Sequence, residues 1–113
     1  MLTESQRFQL RNTFQTFCDS RVPESARDQL SLEFNITGAK ILLFEVRPQF
    51  QKPDNRIRIP VAQFRFDPTD GIWSLFCRDR NEKWHLYEPL ASSENIGELI
   101  SEVDKDRTGI FWG

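Results

Sequence analysis

The stretch that most constrains the fold runs from Val61 to Tyr87, VAQFRFDPTDGIWSLFCRDRNEKWHLY. Apolar and polar residues alternate through it, and two clusters of turn residues, Asp67–Gly71 and Asp79–Glu82, interrupt the alternation. Period-two patterning broken by turn chemistry predicts three consecutive antiparallel strands. Phe64, Phe66, Trp73, Leu75, Cys77, Trp84 and Leu86 form the set expected to face a core. Alternation then places Gln63, Arg65, Ser74, Phe76, Arg78, Lys83, His85 and Tyr87 on the other face. In that register Phe76 lies beside His85 and Arg78 beside Lys83.

Upstream, Leu30, Leu32, Phe34 and Ile36 alternate with polar residues, as in a half-buried strand, and Gly38-Ala39 marks a tight turn. Ile41 to Val46 is apolar in both phases except at Glu45, which suits a central strand covered on both sides. Pro48 ends it, and the polar loop Gln49–Asn55 is the segment expected to move most. Ile57, Ile59 and Val61 are apolar in one phase, then Ala62, Phe64 and Phe66 in the other. A slip of one residue beside Pro60 predicts a β-bulge or strand break.

A helix is expected at each end. Thr3 and Gln6 have capping-box spacing. Leu10, Phe14 and Phe17, with Cys18 beside them, make one stripe, Phe8 lies off it, and Pro23 stops the helix. Ser25–Gln29 reads as polar linker or a short helical turn. Ser92 or Ser93 is the expected cap of a second helix, whose stripe is Ile96, Leu99, Ile100 and Val103, with Gly109 as its stop. The tail Ile110–Gly113 is apolar enough to dock back on the body. The expected fold is α+β and two-layered: an N-terminal helix, an antiparallel meander of about five strands, and a C-terminal helix, with residues 1–113 as a single domain.

Composition narrows the function classes. With 38% hydrophobic and 12% aromatic residues among 113, the chain can build a core. A net charge of -2 gives no whole-molecule attraction to nucleic acid or to acidic membranes. Cys18 and Cys77, far apart and outside any CxxC pattern, read as buried thiols. The N-terminus opens into a polar helix without a signal peptide, and no apolar run approaches the roughly 20 residues of a membrane span, so a cytoplasmic protein without a membrane partner is expected.

The chemistry-bearing residues are sparse. His85 is the only histidine, so a metal site is not expected, and no glycine-rich phosphate loop or other cofactor motif is present. The predicted register separates Cys77 from His85 across the sheet, which removes a Cys–His nucleophile. No catalytic residue is assigned. Glu45 and Arg47 form a polar pair that faintly resembles a nuclease element, and a hydrolase centred on Glu45, independent of metal or nuclease-like, is the enzymatic alternative. The outer face, with Arg65, Phe76, Arg78, Lys83, His85 and Tyr87, is the candidate binding surface, which Glu45 and Arg47 would join from the neighbouring strand. Its aromatics suit base stacking and its cations suit phosphates. A protein partner or a homodimer is the competing use. A solvated face, screened by cross-strand cations, is the reading without function.

Several segments together resemble a known family: Phe17-Cys18-Asp19-Ser20-Arg21-Val22-Pro23, Glu45-Val46-Arg47-Pro48, Pro60-Val61-Ala62, Trp73-Ser74-Leu75, Asp79-Arg80-Asn81 with Trp84 and Tyr87, and Gly109-Ile110-Phe111-Trp112-Gly113. In this order they resemble a family of small bacterial proteins known only as a domain of unknown function. The resemblance spans nearly the whole chain. It implies a bacterial, cytoplasmic, stand-alone domain and no activity. Gln63 stands where such proteins are expected to carry lysine.

Overall fold

The computed structural model describes residues 2–112; Met1 and Gly113, the ends of the predicted opening and tail, lie outside the described residues. Helix α1 spans Glu4–Arg21 and begins with the capping box: Gln6 N–H donates to Thr3 Oγ1, and Thr3 N–H donates to Gln6 Oε1. Val22 leaves helical geometry just before Pro23. The helix buries Leu10 and Phe14 of the predicted stripe, with Cys18 beside them, covers Phe17 only in part, and leaves Phe8 exposed.

Five strands follow in meander order: β1 Ser31–Thr37, β2 Lys40–Pro48, β3 Arg56–Asp67, β4 Ile72–Arg78 and β5 Trp84–Leu86. Gly38 turns β1 into β2 at φ +59°, a conformation glycine adopts without a Cβ clash. A short sixth strand, β6 Ser92–Ser93, pairs with the start of β4, so β5 and β6 share one edge of that strand. The fold is α+β, as the helix–strands–helix order predicts.

The bulge falls where the phase change put it. Leu43 pairs with Ala62 and Phe44 with Pro60, which leaves Val61 as the extra residue. Val61 and Ala62 are therefore both buried in the core, where strict alternation would have sent one of them out.

One face of the sheet carries Phe34, Ile41, Leu43, Phe64, Leu75 and Cys77, and α1 packs there. The Phe14 ring lies 5.6 Å from Phe34 and 5.1 Å from Phe64, centroid to centroid. Helix α2, Ile96–Lys105, adds Leu99, Ile100 and Val103 to the same core. Each such side chain contributes about 1.5–3 kcal/mol on burial. Arg21 joins the helix ends by a 2.7 Å ion pair with Asp104.

Both predicted termini of α2 need correction. Asn95 is the cap, its side chain accepting from Gly97 N–H, while Ser93 belongs to β6 and accepts from Asn95 N–H. An edge position on β4 claims the serines before a helix can start. The helix stops at Asp106, in the left-handed region at φ 49°, three residues before Gly109. Asp106 also accepts from the N–H groups of Phe111 and Trp112, each at 3.0 Å, which docks the tail. The Phe111 ring then packs at a tilt against Tyr87, and Trp112 Nε1 donates to Val103 O.

The register of β5 is the main departure. Phe76 pairs with Leu86, Cys77 with His85 and Arg78 with Trp84. Trp84 and Leu86 thus share the outer phase, whereas His85 and Tyr87 share the phase of the core. Tyr87 is 2% exposed and Leu86 44%, the reverse of the expectation. The hairpin explains the reversal. Asp79 N–H bonds to Lys83 O and Glu82 N–H to Asp79 O, leaving a three-residue loop with Glu82 at φ 65°. The predicted pairing needed an even loop, and a change of one loop residue turns every side chain of the strand over.

Candidate binding surface

Neither helix packs on the second sheet face. In register across it lie Lys40, Leu42, Phe44 and Val46 of β2, Arg58, Gln63 and Arg65 of β3, Ser74, Phe76 and Arg78 of β4, and Trp84 and Leu86 of β5. β2 is consequently apolar on both faces, which accounts for its nearly continuous apolar run.

Side chains on this face cover one another. The Arg65 guanidinium lies 3.8 Å above the Phe76 ring centroid, Arg58 5.0 Å above Phe44, and Arg78 5.8 Å from Trp84. Such contacts contribute about 0.5–1 kcal/mol each at exposed sites. They also explain how Phe44 and Val46 are buried where no helix covers them: the arginine stems and flat guanidinium groups lie over the sheet.

The electrostatics of this face are uneven. Lys40 stands directly opposite Arg65 across β2 and β3. Like charges in that relation destabilise a sheet. Among the described residues, neither has a carboxylate within ion-pair distance. Arg65 is oriented instead by Gln63, whose Oε1 accepts from its Nε at 2.6 Å. The glutamine at the position expected to be lysine thus aims a cation rather than supplying one. Arg78 is partly neutralised by Glu82 at 3.4 Å.

Of the predicted binding residues, Arg65, Phe76 and Arg78 come together here. Lys83 closes the hairpin loop opposite Asp79 and is not beside Arg78. Tyr87 is removed from the surface altogether; its hydroxyl donates to Glu102 at 3.4 Å inside the protein. Glu102, also buried, is bound by Arg107 through Nε and Nη2. Lys40, Phe44, Arg58, Trp84 and Leu86 were not foreseen. The two-phase apolar run of β2 was the available signal for Phe44, and the loop count for Trp84 and Leu86.

His85 is opposite Cys77 on the core phase, not beside Phe76 and not across the sheet from the thiol. Its Nε2 meets Asp79 Oδ2 at 2.6 Å. The Asp79 carboxyl is held below the usual carboxylate range, first by the Lys83 N–H, then by His85. Burial pushes the Cys77 thiol up, as it does Cys18, which reaches about 12. Thiols held protonated in this way are poor nucleophiles.

Glu45 and Arg47 lie in the phase of Leu43, on the core side of the sheet, rather than joining the outer surface. Glu45 is buried and its Oε2 accepts from Arg47 Nε at 2.7 Å. They border an open groove of about 380 Å³ between β3, the β4–β5 loop and the tail. Among the described residues no group of three histidine, cysteine or acidic side chains is placed to hold a metal ion, and no helix is long and apolar enough to cross a membrane.

A family model described as "Domain of unknown function (DUF3024)" matches residues 2–113. No curated protein and no solved structure matches.

Proposed function

The chain belongs to the DUF3024 family, a domain of unknown function, and from that premise we propose that it is a non-catalytic binding module whose helix-free sheet face takes single-stranded nucleic acid. The observation that carries this reading is the Lys40–Arg65 pair beside the Phe76 ring. Cations at cross-strand positions, with no carboxylate partner among the described residues, are relieved by a phosphate bound near them. The neighbouring Arg65–Phe76 stack and the partly exposed Trp84 offer flat surfaces to unpaired bases, with the exposed Leu86 as an apolar flank. The three carboxylates that border the groove support a non-catalytic role: Glu45 is tied to Arg47, Glu82 to Arg78 and Asp79 to His85. A bacterial, cytoplasmic setting belongs to the same proposal.

Labelled single- and double-stranded oligonucleotides titrated over a range of salt concentrations test it. Single strands are expected to bind more tightly, with affinity falling as salt rises. Lys40→Ala and Arg65→Ala are each expected to lower the salt slope by about one ion. No binding at low salt, or binding that neither variant weakens, overturns the reading. A dimer whose interface covers Phe76 and Leu86 would overturn it in favour of self-association.

A further inference from the structure

A second feature lies along β3, at a strand edge that shares Arg58 with the outer face. β3 pairs with β2 from Arg56 onward, but β4 joins it only from Ala62. Arg56–Pro60 therefore has a strand on one side and none on the other. The chain that would have continued β4 turns away at Asp79 to form the hairpin.

The polarity of this free edge can be worked out. Gln49 N–H bonds to Asn55 O at the start of the β2–β3 ladder. Hydrogen-bonded pairs recur at every second residue of an antiparallel ladder, so Ile57 and Ile59 bond back to β2. The N–H and C=O groups of Arg56 and Arg58, and the C=O of Pro60, then point to the open side. Their side chains alternate as well. Ile57 and Ile59, 42% and 38% exposed, lie in the core phase beyond the helices, while Arg56 and Arg58 lie in the outer phase. The open groove beside Ile59 continues to Ile110 and Phe111 of the tail.

We infer that this edge binds an extended peptide whose residues alternate between acidic and apolar, added to the sheet as one further strand. Main-chain bonds to Arg56 and Arg58 hold it, its carboxylates lie beside the two guanidinium groups, and its apolar residues cover Ile57 and Ile59. Charge complementarity selects this occupant over a second copy of the chain. Two such edges paired together would set arginine against arginine, and Pro60 supplies no N–H, both features that discourage edges from pairing with themselves.

The test is fluorescence anisotropy with a labelled peptide of alternating glutamate and valine. A block peptide of the same composition, a lysine–valine peptide and a version N-methylated at alternate residues serve as controls. The alternating acidic peptide is expected to bind at least tenfold more tightly than each control. The double variant Arg56→Glu, Arg58→Glu is expected to reduce its affinity at least tenfold, and Arg65→Ala to leave it unchanged. Equal affinity for the block or N-methylated peptide would show plain charge attraction and overturn the proposal, as would insensitivity to the double variant. Concentration-dependent self-association that the double variant abolishes would overturn it in favour of a second copy. Since Arg65 serves only the outer face, this proposal and the nucleic-acid reading fail separately.

Discussion

Arg65 lies 3.8 Å above the centroid of the Phe76 ring while its Nε donates to Gln63 Oε1 at 2.6 Å, so one arginine is fixed by a ring below and an amide beside it. Its two terminal nitrogens have no carboxylate partner among the described residues. Removing the amide leaves the cation but loosens its aim. Gln63→Ala is expected to weaken oligonucleotide binding less than Arg65→Ala does, with stability changed by less than about 0.5 kcal/mol. Equal losses from both variants would mean that Gln63 contacts the ligand itself.

The register of β5 has a direct stability test. Tyr87→Ala empties a buried site against Phe111 and is expected to cost about 3–5 kcal/mol. Leu86→Ala, one residue away and facing solvent, is expected to change stability by about 0.5 kcal/mol or less. Urea unfolding of both variants decides; the opposite ranking would restore the even-loop register.

Asp79 closes the same hairpin, and its carboxyl is depressed below its ordinary value of 3.8. A carboxylate with a lowered folded-state pKa stabilises the fold above its unfolded value, and this contribution is lost as pH falls through the folded value. The stability difference between the natural chain and Asp79→Asn is therefore expected to hold above about pH 5 and to shrink as pH falls towards about 2. A difference independent of pH would show that the Asp79 carboxyl titrates alike in the folded and unfolded chain, and would overturn this reading.

Glu82 occupies a left-handed position at φ 65° in the three-residue loop. Non-glycine residues resist that geometry, while glycine adopts it at a cost in unfolded-state entropy. Glu82→Gly is expected to raise stability by up to about 1 kcal/mol, read as a higher urea midpoint at unchanged slope. The lost contact to Arg78 counts for little, because the Glu82 side chain is 81% exposed. A lower midpoint would show that this ion pair outweighs the backbone strain.

Much of the molecule was legible in local patterns because the physics behind them is local. The Thr3–Gln6 box needs only residues three apart. The bulge was visible because two apolar phases meet beside Pro60, and the docked tail because Phe111 and Trp112 are too apolar to leave in water. Glu102 was less legible. It reads as one more polar residue on an amphipathic helix, and only the approach of Arg107 and Tyr87 makes its burial tolerable.

Local patterning alone gives the order of the two helices and the five meander strands, the α+β class, the core-facing set of β4 and the position of the bulge. The tertiary structure decided which side of β5 faces outward, and with it the membership of the candidate surface. Strand alternation fixes which residues go together but not which face they take; that depends on the number of residues in the preceding loop. Here the loop is odd, closed by Asp79 and Lys83 with a glutamate where glycine would have been the sign. Tyr87 is buried for that reason, and Trp84 and Leu86 lie beside Phe76.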